Sequence, residues 1–377
     1  MLYTGGCSVP SINYVCFERY LDKANDLGMK VVLEISHSLV DNHDVEGVRT
    51  FVNRLKSKPA VLGYLLSDEP DNALRQGNNN LSPESLLILY NVIKQEDPSR
   101  LVFLVHGAGG RMPISYDCSL FGDPSRHQYS CYTRHTDTYY TYDLNTCGDR
   151  PLCVLNYYSA AADVEMLDYY PHHYLVDGRD EVRDPPYPLQ QTREWVSFMK
   201  AKNGKKFIPV IQASYQLSSS QSIPPNRASD HPTKQEFRYY SIANLIDKTY
   251  GLVFYLQPYA TVPVIQNIIT PTIGDLRYFT PVFLNGQQIP CSPSGYCAEN
   301  VSSSFISASL QEFHAAVSNN AADYKRVVFT FPSNVNQLWL YESGTRSVFT
   351  GFVGINGNSV TLDLEPWSSY LFILRKP

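Results

Sequence analysis

With 377 residues, 43% of them hydrophobic, this chain exceeds what one ordinary core needs, so a large domain with a smaller module is the natural division. A net charge of −5 leaves no concentrated basic face, which argues against a nucleic-acid partner. No run approaches the ~18 consecutive apolar residues of a membrane span, so none is expected.

The first residues, Met1-Leu-Tyr3, read as the tail of a strand. Phe17 to Met29 carries Leu21, Ala24 and Leu27 at helical spacing, with Gly28 at its end. Lys30 to Ser36 is a buried strand with Glu34 near its carboxyl end, and Val45 to Lys58 is a helix with Val48, Phe51, Val52 and Leu55 on one stripe. Val61 to Leu66, bounded by Pro59 and Pro70, is too short for a globular helix and reads as a second buried strand. Asp68 and Glu69 follow it directly. Strand alternation turns one of the two toward a central cavity, and Glu69 is the candidate.

A polar linker, Gln76 to Asn80, leads to Ser82-Pro83, a cap followed by proline at the first helical position, and the helix runs to Glu96. Leu101 to His106 is the next strand. From Gly107 to about Ser159 the alternation lapses into a long tyrosine-rich loop holding four cysteines, expected to be functional or stapled. It resumes with a strand ending at Asp168, a helix from Gln190 to Asn203 and a strand from Phe207 to Gln212. A helix opened by the capping box Thr233…Glu236 and a strand from Gly251 through Tyr255 complete the series. Glu236 and Arg238 on that helix read as a structural pair.

The alternation predicts a TIM (β/α)8 barrel, an α/β fold, over residues 1–288. Seven strands are counted, so the first is expected to lie upstream of Met1. Leu276 to Leu284 is expected to be one helix closing the barrel. From about 300 to 377, short β-rich runs separated by Asn, Gly, Ser or Pro predict a small all-β sandwich.

Eight cysteines, at 7, 16, 118, 131, 147, 153, 291 and 297, include no C-x-x-C and no histidine at zinc-finger spacing. Short-loop disulfides of an oxidising compartment are the better reading. The sequons Asn80-Leu-Ser82 and Asn300-Val-Ser302 agree with a secreted, extracellular glycoprotein, although Met1-Leu-Tyr-Thr-Gly-Gly lacks the features of a leader. His37 and His106 fall near strand ends without metal-ligand spacing, and Gly107-Ala-Gly-Gly110 lacks the pattern of a phosphate loop. Neither metal nor cofactor is expected.

In combination, Lys58-Pro59-Ala60-Val61-Leu62-Gly63-Tyr64 with Asp68-Glu69-Pro70, then Asp168-Tyr169-Tyr170-Pro171, Gly251 to Tyr255, and Leu364-Glu365-Pro366-Trp367, resemble the retaining glycoside hydrolase barrels of clan A. The Asp68-Glu69-Pro70-Asp71 form is most similar to uncharacterised secreted barrels. The resemblance implies hydrolysis of O-glycosidic bonds in an oligosaccharide or polysaccharide, with Glu69 as the acid/base. Strand-end positions point to Asp168 as the second carboxylate, with Glu34, Asp68, His106, Tyr170, His172, Gln212 and Tyr255 as substrate contacts. One departure is clear: the strand where those enzymes place a nucleophilic glutamate ends here in Gln212, and an amide forms no glycosyl-enzyme intermediate. The rival reading is therefore a catalytically inactive barrel that binds glycans. Oligomeric state leaves no mark in the sequence.

Overall fold

The computed structural model describes residues 12–70, 79–107, 158–169, 205–212, 233–255, 265–289, 301–321 and 323–377, with short strand segments within 122–143 and 174–181. The chain forms two compact units: residues 1–168 with 198–208, and residues 169–197 with 209–377.

In the first unit, four strands lie side by side in chain order, all parallel: Val31–Glu34, Val61–Asp68, Leu101–Gly107 and Val164–Tyr169. The helices between them start where local chemistry says they should. Asn13 accepts from the Cys16 amide at 3.1 Å to open Tyr14–Asp26, and Asp44 accepts from Gly47 at 2.9 Å to open Val45–Leu55. Ser82 accepts from Ser85 to open Pro83–Glu96. Each helix turns its apolar stripe inward, so Phe17, Phe51, Leu86 and Leu89 pack with Leu33, Tyr64, Leu66, Val102 and Leu104 from one face of the sheet. Phe17 and Phe51 meet edge to face at 5.3 Å, and the buried Tyr64 hydroxyl donates to Asp97 at 2.9 Å. Gly63 is required at its position: a Cβ there would fall 2.2 Å from the Leu101 carbonyl oxygen, so only glycine lets the two central strands close.

In the second unit, Val210–Gln212 pairs in parallel with Val253–Tyr255. The described residues thus hold six strands of the expected barrel series, Lys206–Gln212 being the fifth. The predicted strand at Met1–Tyr3 and the helix from Gln190 lie outside the described residues. Within the stretch expected to be a stapled loop, Gly122–Asp123, Gln128–Thr133 and Tyr-rich Thr138–Asp143 form a three-stranded antiparallel sheet. Enrichment in tyrosine and threonine, both favoured in strands, was the signal there.

The β module has a five-stranded sheet in the order 301–307, 312–319, 368–375, 337–342, 345–347, and a three-stranded sheet in the order 325–330, 359–364, 352–356. Phe305, Phe313, Phe329, Phe331, Leu362 and Phe372 fill the space between them. The outer face of the larger sheet is apolar too. Ala316, Leu371 and Ile373 pack against Ile242, Phe279 and Val282 from the preceding helices.

Two local expectations change. Arg238 pairs with Asp275, not Glu236; residues two apart point to different sides of a helix, and Glu236 instead completes the capping box with Thr233. The single helix expected from Leu276 to Leu284 is two, Thr270–Tyr278 and Thr280–Asn285. Pro281 has no amide hydrogen to continue the first helix and starts the second. Among the described residues no helix is long and apolar enough to cross a membrane.

Candidate active site

Parallel strands expose their carboxyl ends along one edge of the sheet, and in the first unit that edge gathers acids. Glu34 ends the first strand, Asp68 the second, and Asp168 lies one residue from the end of the fourth. The register says which face each occupies. Glu34 stands opposite Leu65, and Leu65 opposite Phe103, a row on the face turned away from the helix-packed Tyr64, Leu66 and Leu104. Gly107 is opposite Asp168, two residues along from the Val105–Met166 pair, so Asp168 shares that face.

A bulge decides the Asp68-Glu69 question differently from simple alternation. Between Leu65 and Ser67 the ladder slips by one residue, so Ser67 pairs with Leu104 and Asp68 with Val105. Asp68 therefore joins the row of Val105 and Met166, and it is exposed. Glu69 follows as a half-buried residue with left-handed backbone, φ 47°, its amide donating to the Val105 carbonyl at 2.8 Å. A non-glycine residue is held in that conformation against a strain of about 1–3 kcal/mol.

His37, which the sequence placed near a strand end without assigning it to the site, belongs to this edge. Its Nε2 lies 2.9 Å from a Glu34 oxygen at the start of a short helix, His37–Asp41. The Glu34 carboxylate raises the His37 pKa above its ordinary value, with Asp41 and Asp68 adding to the effect and partial burial opposing it. Nothing in local sequence spacing reveals this contact beyond the i, i+3 interval.

His106 sits elsewhere. Its ring is buried, 1% exposed, on the helix-facing side of the sheet, with Nε2 2.5 Å from the equally buried Glu165 and its edge toward Tyr158. In the second unit the register sets Gln212 opposite Tyr255, at the carboxyl ends of their strands. Tyr170 and His172 lie outside the described residues, as do the side chains of Gln212 and Tyr255. No group of three His, Cys, Asp or Glu among the described residues is arranged to hold a metal.

No protein-family model matches the chain, and no curated protein does. Solved structures do resemble it. A glycoside hydrolase family 44 endoglucanase produced by Clostridium acetobutylium has TM-score 0.47 and 13% identity, covering 96% of this chain and 84% of its own. A family 44 xyloglucanase of Paenibacillus polymyxa has TM-score 0.47 and 15% identity, covering 100% and 86%. A family 27 β-L-arabinopyranosidase of Geobacillus stearothermophilus has TM-score 0.48 and 12% identity, covering 96% and 78%. At these scores no residue role, substrate or activity carries across.

Proposed function

We propose that this chain is a carbohydrate-active protein that hydrolyses O-glycosidic bonds, with Glu69 as general acid/base and Asp168 as the second carboxylate. The observation that carries the reading is the set of acids at the carboxyl ends of adjacent parallel strands, Glu34, Asp68 and Asp168 on one face with Glu69 next in the chain after Asp68, where this kind of sheet places its chemistry. One strand separates the Glu69 and Asp168 positions. Two strand spacings put their backbones roughly 10 Å apart, a separation compatible with the ~5–9.5 Å between the carboxyl groups of a glycosidase pair. Left-handed strain at Glu69 supports the same residue, because such strain persists where a side chain must be aimed. In this reading Glu34 and Asp68 accept sugar hydroxyls, and Tyr170, His172, Gln212 and Tyr255 supply the remaining contacts. Burial against Glu165 favours a structural role for His106.

Turnover of aryl glycosides and of soluble polysaccharides by the wild type, Glu69→Gln and Asp168→Asn tests the assignment. A fall of about 10²–10⁴-fold in kcat is expected for Glu69→Gln. Undiminished hydrolysis in that variant removes Glu69 from the mechanism. The second reading, a glycan-binding barrel without turnover, is favoured by Gln212 opposite Tyr255 at a strand end that would otherwise supply an acid. It predicts sugar affinity with no hydrolysis in any variant. Secretion is part of the proposal. Cys16 is disulfide-bonded, and Asn80 of the first sequon is exposed. A mobility shift on enzymatic deglycosylation, reduced in Asn80→Gln, tests it.

A further inference from the structure

The β module carries a groove of its own, about 750 Å³, whose residues play no part in the strand-end acids. This size lies within the range of small-molecule sites. Strands of both sheets contribute to it: Arg326 and Asp363 from the smaller, Tyr370 from the larger, with the 348–351 turn beside them. Gly351 lets that turn come down on the strand. Its carbonyl accepts from the Asp363 amide at 2.7 Å, and a Cβ on it would lie 2.1 Å from the Asp363 carbonyl oxygen and 2.7 Å from the Phe349 ring.

Two features of the lining say what the groove can hold. The first is aromatic. Tyr324 is 69% exposed, an amphipathic ring with no packing reason to face water. Tyr370 stands half-buried against Phe349, ring centroids 4.8 Å apart, its hydroxyl accepting from the Glu365 amide.

The second is a polar strip that is charged but largely self-neutralised. The Arg326 guanidinium makes two parallel hydrogen bonds of 2.7 Å to the two oxygens of Asp363. Each group keeps capacity to spare: three of the five guanidinium N–H donors, and lone pairs on both carboxylate oxygens. Glu365 adds further acceptors beside them. Donors and acceptors fixed in a plane next to aromatic faces match a ligand whose hydroxyls both donate and accept and whose ring carbons are apolar. Because Arg326 and Asp363 cancel, an ionic ligand gains little from that pair.

We propose that this groove is a carbohydrate-binding site, with Tyr324 as a stacking platform and the Arg326–Asp363 pair as the hydroxyl reader. It is separate from the strand-end acids and holds whether or not those acids hydrolyse anything.

The test is affinity electrophoresis of the full chain through gels containing xyloglucan, xylan, mixed-linkage β-glucan or galactomannan. It is run on the wild type, Glu69→Gln, Tyr324→Ala, Tyr324→Phe and Arg326→Ala. At least one polysaccharide is expected to retard the wild type and Glu69→Gln alike. Tyr324→Ala should weaken that retardation by about tenfold, the scale of one lost stacking contact, while Tyr324→Phe keeps it. Tyr324 is too exposed for its loss to unfold the module, and unchanged circular dichroism checks this. Retardation by none of the polysaccharides overturns the proposal. So does retardation insensitive to both Tyr324→Ala and Arg326→Ala, which would place the sugar elsewhere. Binding that collapses on raising salt from 50 to 500 mM also overturns it, since a cationic ligand held by Glu365 would behave that way and a neutral sugar would not.

Discussion

Removing Asp275 should destabilise the second unit more than any surface change could. Its carboxylate is 1% exposed and accepts three donors: the Arg238 guanidinium, the Ser343 amide at 2.9 Å and the Gly344 amide at 3.1 Å. Arg238 is itself 5% exposed and also donates to the Tyr341 carbonyl at 3.3 Å. Asp275→Ala therefore strands a buried cation and two amide hydrogens at once. Breaking one partner of a buried pair costs about 3–5 kcal/mol. With a urea slope of roughly 2.5 kcal/mol/M, the midpoint should fall by about 1–2 M.

Trp339 and Trp367 lie in this unit, so their fluorescence reports its unfolding. The decisive comparison is the double variant Arg238→Met/Asp275→Leu. It removes both charges and should be more stable than Asp275→Ala, because no charge is left buried alone. If Asp275→Ala costs less than about 1 kcal/mol, the pair is solvated and this account of the helix-to-hairpin junction is wrong.

Phe51→Ala should cost the first unit about 3–5 kcal/mol, since the ring is fully buried against Phe17; thermal unfolding followed by far-UV circular dichroism measures it. The His37 contact predicts a pH dependence with a definite sign. Its folded pKa is raised above the ordinary 6.5, mainly by Glu34, so protonated His37 favours the folded state. The stability gap between the wild type and His37→Gln should be widest below pH 6.5 and close as pH rises through the raised folded value. A gap that grows with pH contradicts the assignment.

What could be read from the chain was local chemistry. Ser82-Pro83, the Thr233…Glu236 box and the Val48, Phe51, Val52, Leu55 stripe each carry their meaning within one or two helical turns, and each element is where its signals place it. Of the first two strands of the β module, Val301–Ser307 and Glu312–Asn319, the first is the harder to read from the chain, for a physical reason. The first buries Ser303 and Ser304, and the Ser304 hydroxyl is satisfied by the Val282 carbonyl at 2.9 Å, a partner 22 residues away. A serine-rich run gives no apolar alternation to detect. The Arg238–Asp275 pair is hidden because its partners stand 37 residues apart in the chain. At the candidate site the acids themselves were legible, because strand ends and carboxylates are both sequence features. Their faces were not, because a bulge at Leu66 is a property of the pairing with Leu101–Gly107 and not of either strand alone.

That bulge and the φ of Glu69 separate two explanations for a carboxylate at this point. If Glu69 is there to hold the fold, its side chain offsets the left-handed strain, and every truncation destabilises. If it is there to act on a ligand, the strain is tolerated for the sake of where the side chain points, and the fold would prefer glycine. Glycine adopts φ near 47° freely, so Glu69→Gly should leave stability unchanged or raise it by up to about 1 kcal/mol while abolishing hydrolysis. Glu69→Val, β-branched and at the same φ, should destabilise by more than that. Chemical denaturation of the three proteins, read by circular dichroism, distinguishes the cases. A Glu69→Gly protein clearly less stable than the wild type would make this carboxylate a structural element and take away the strain argument for its role in catalysis.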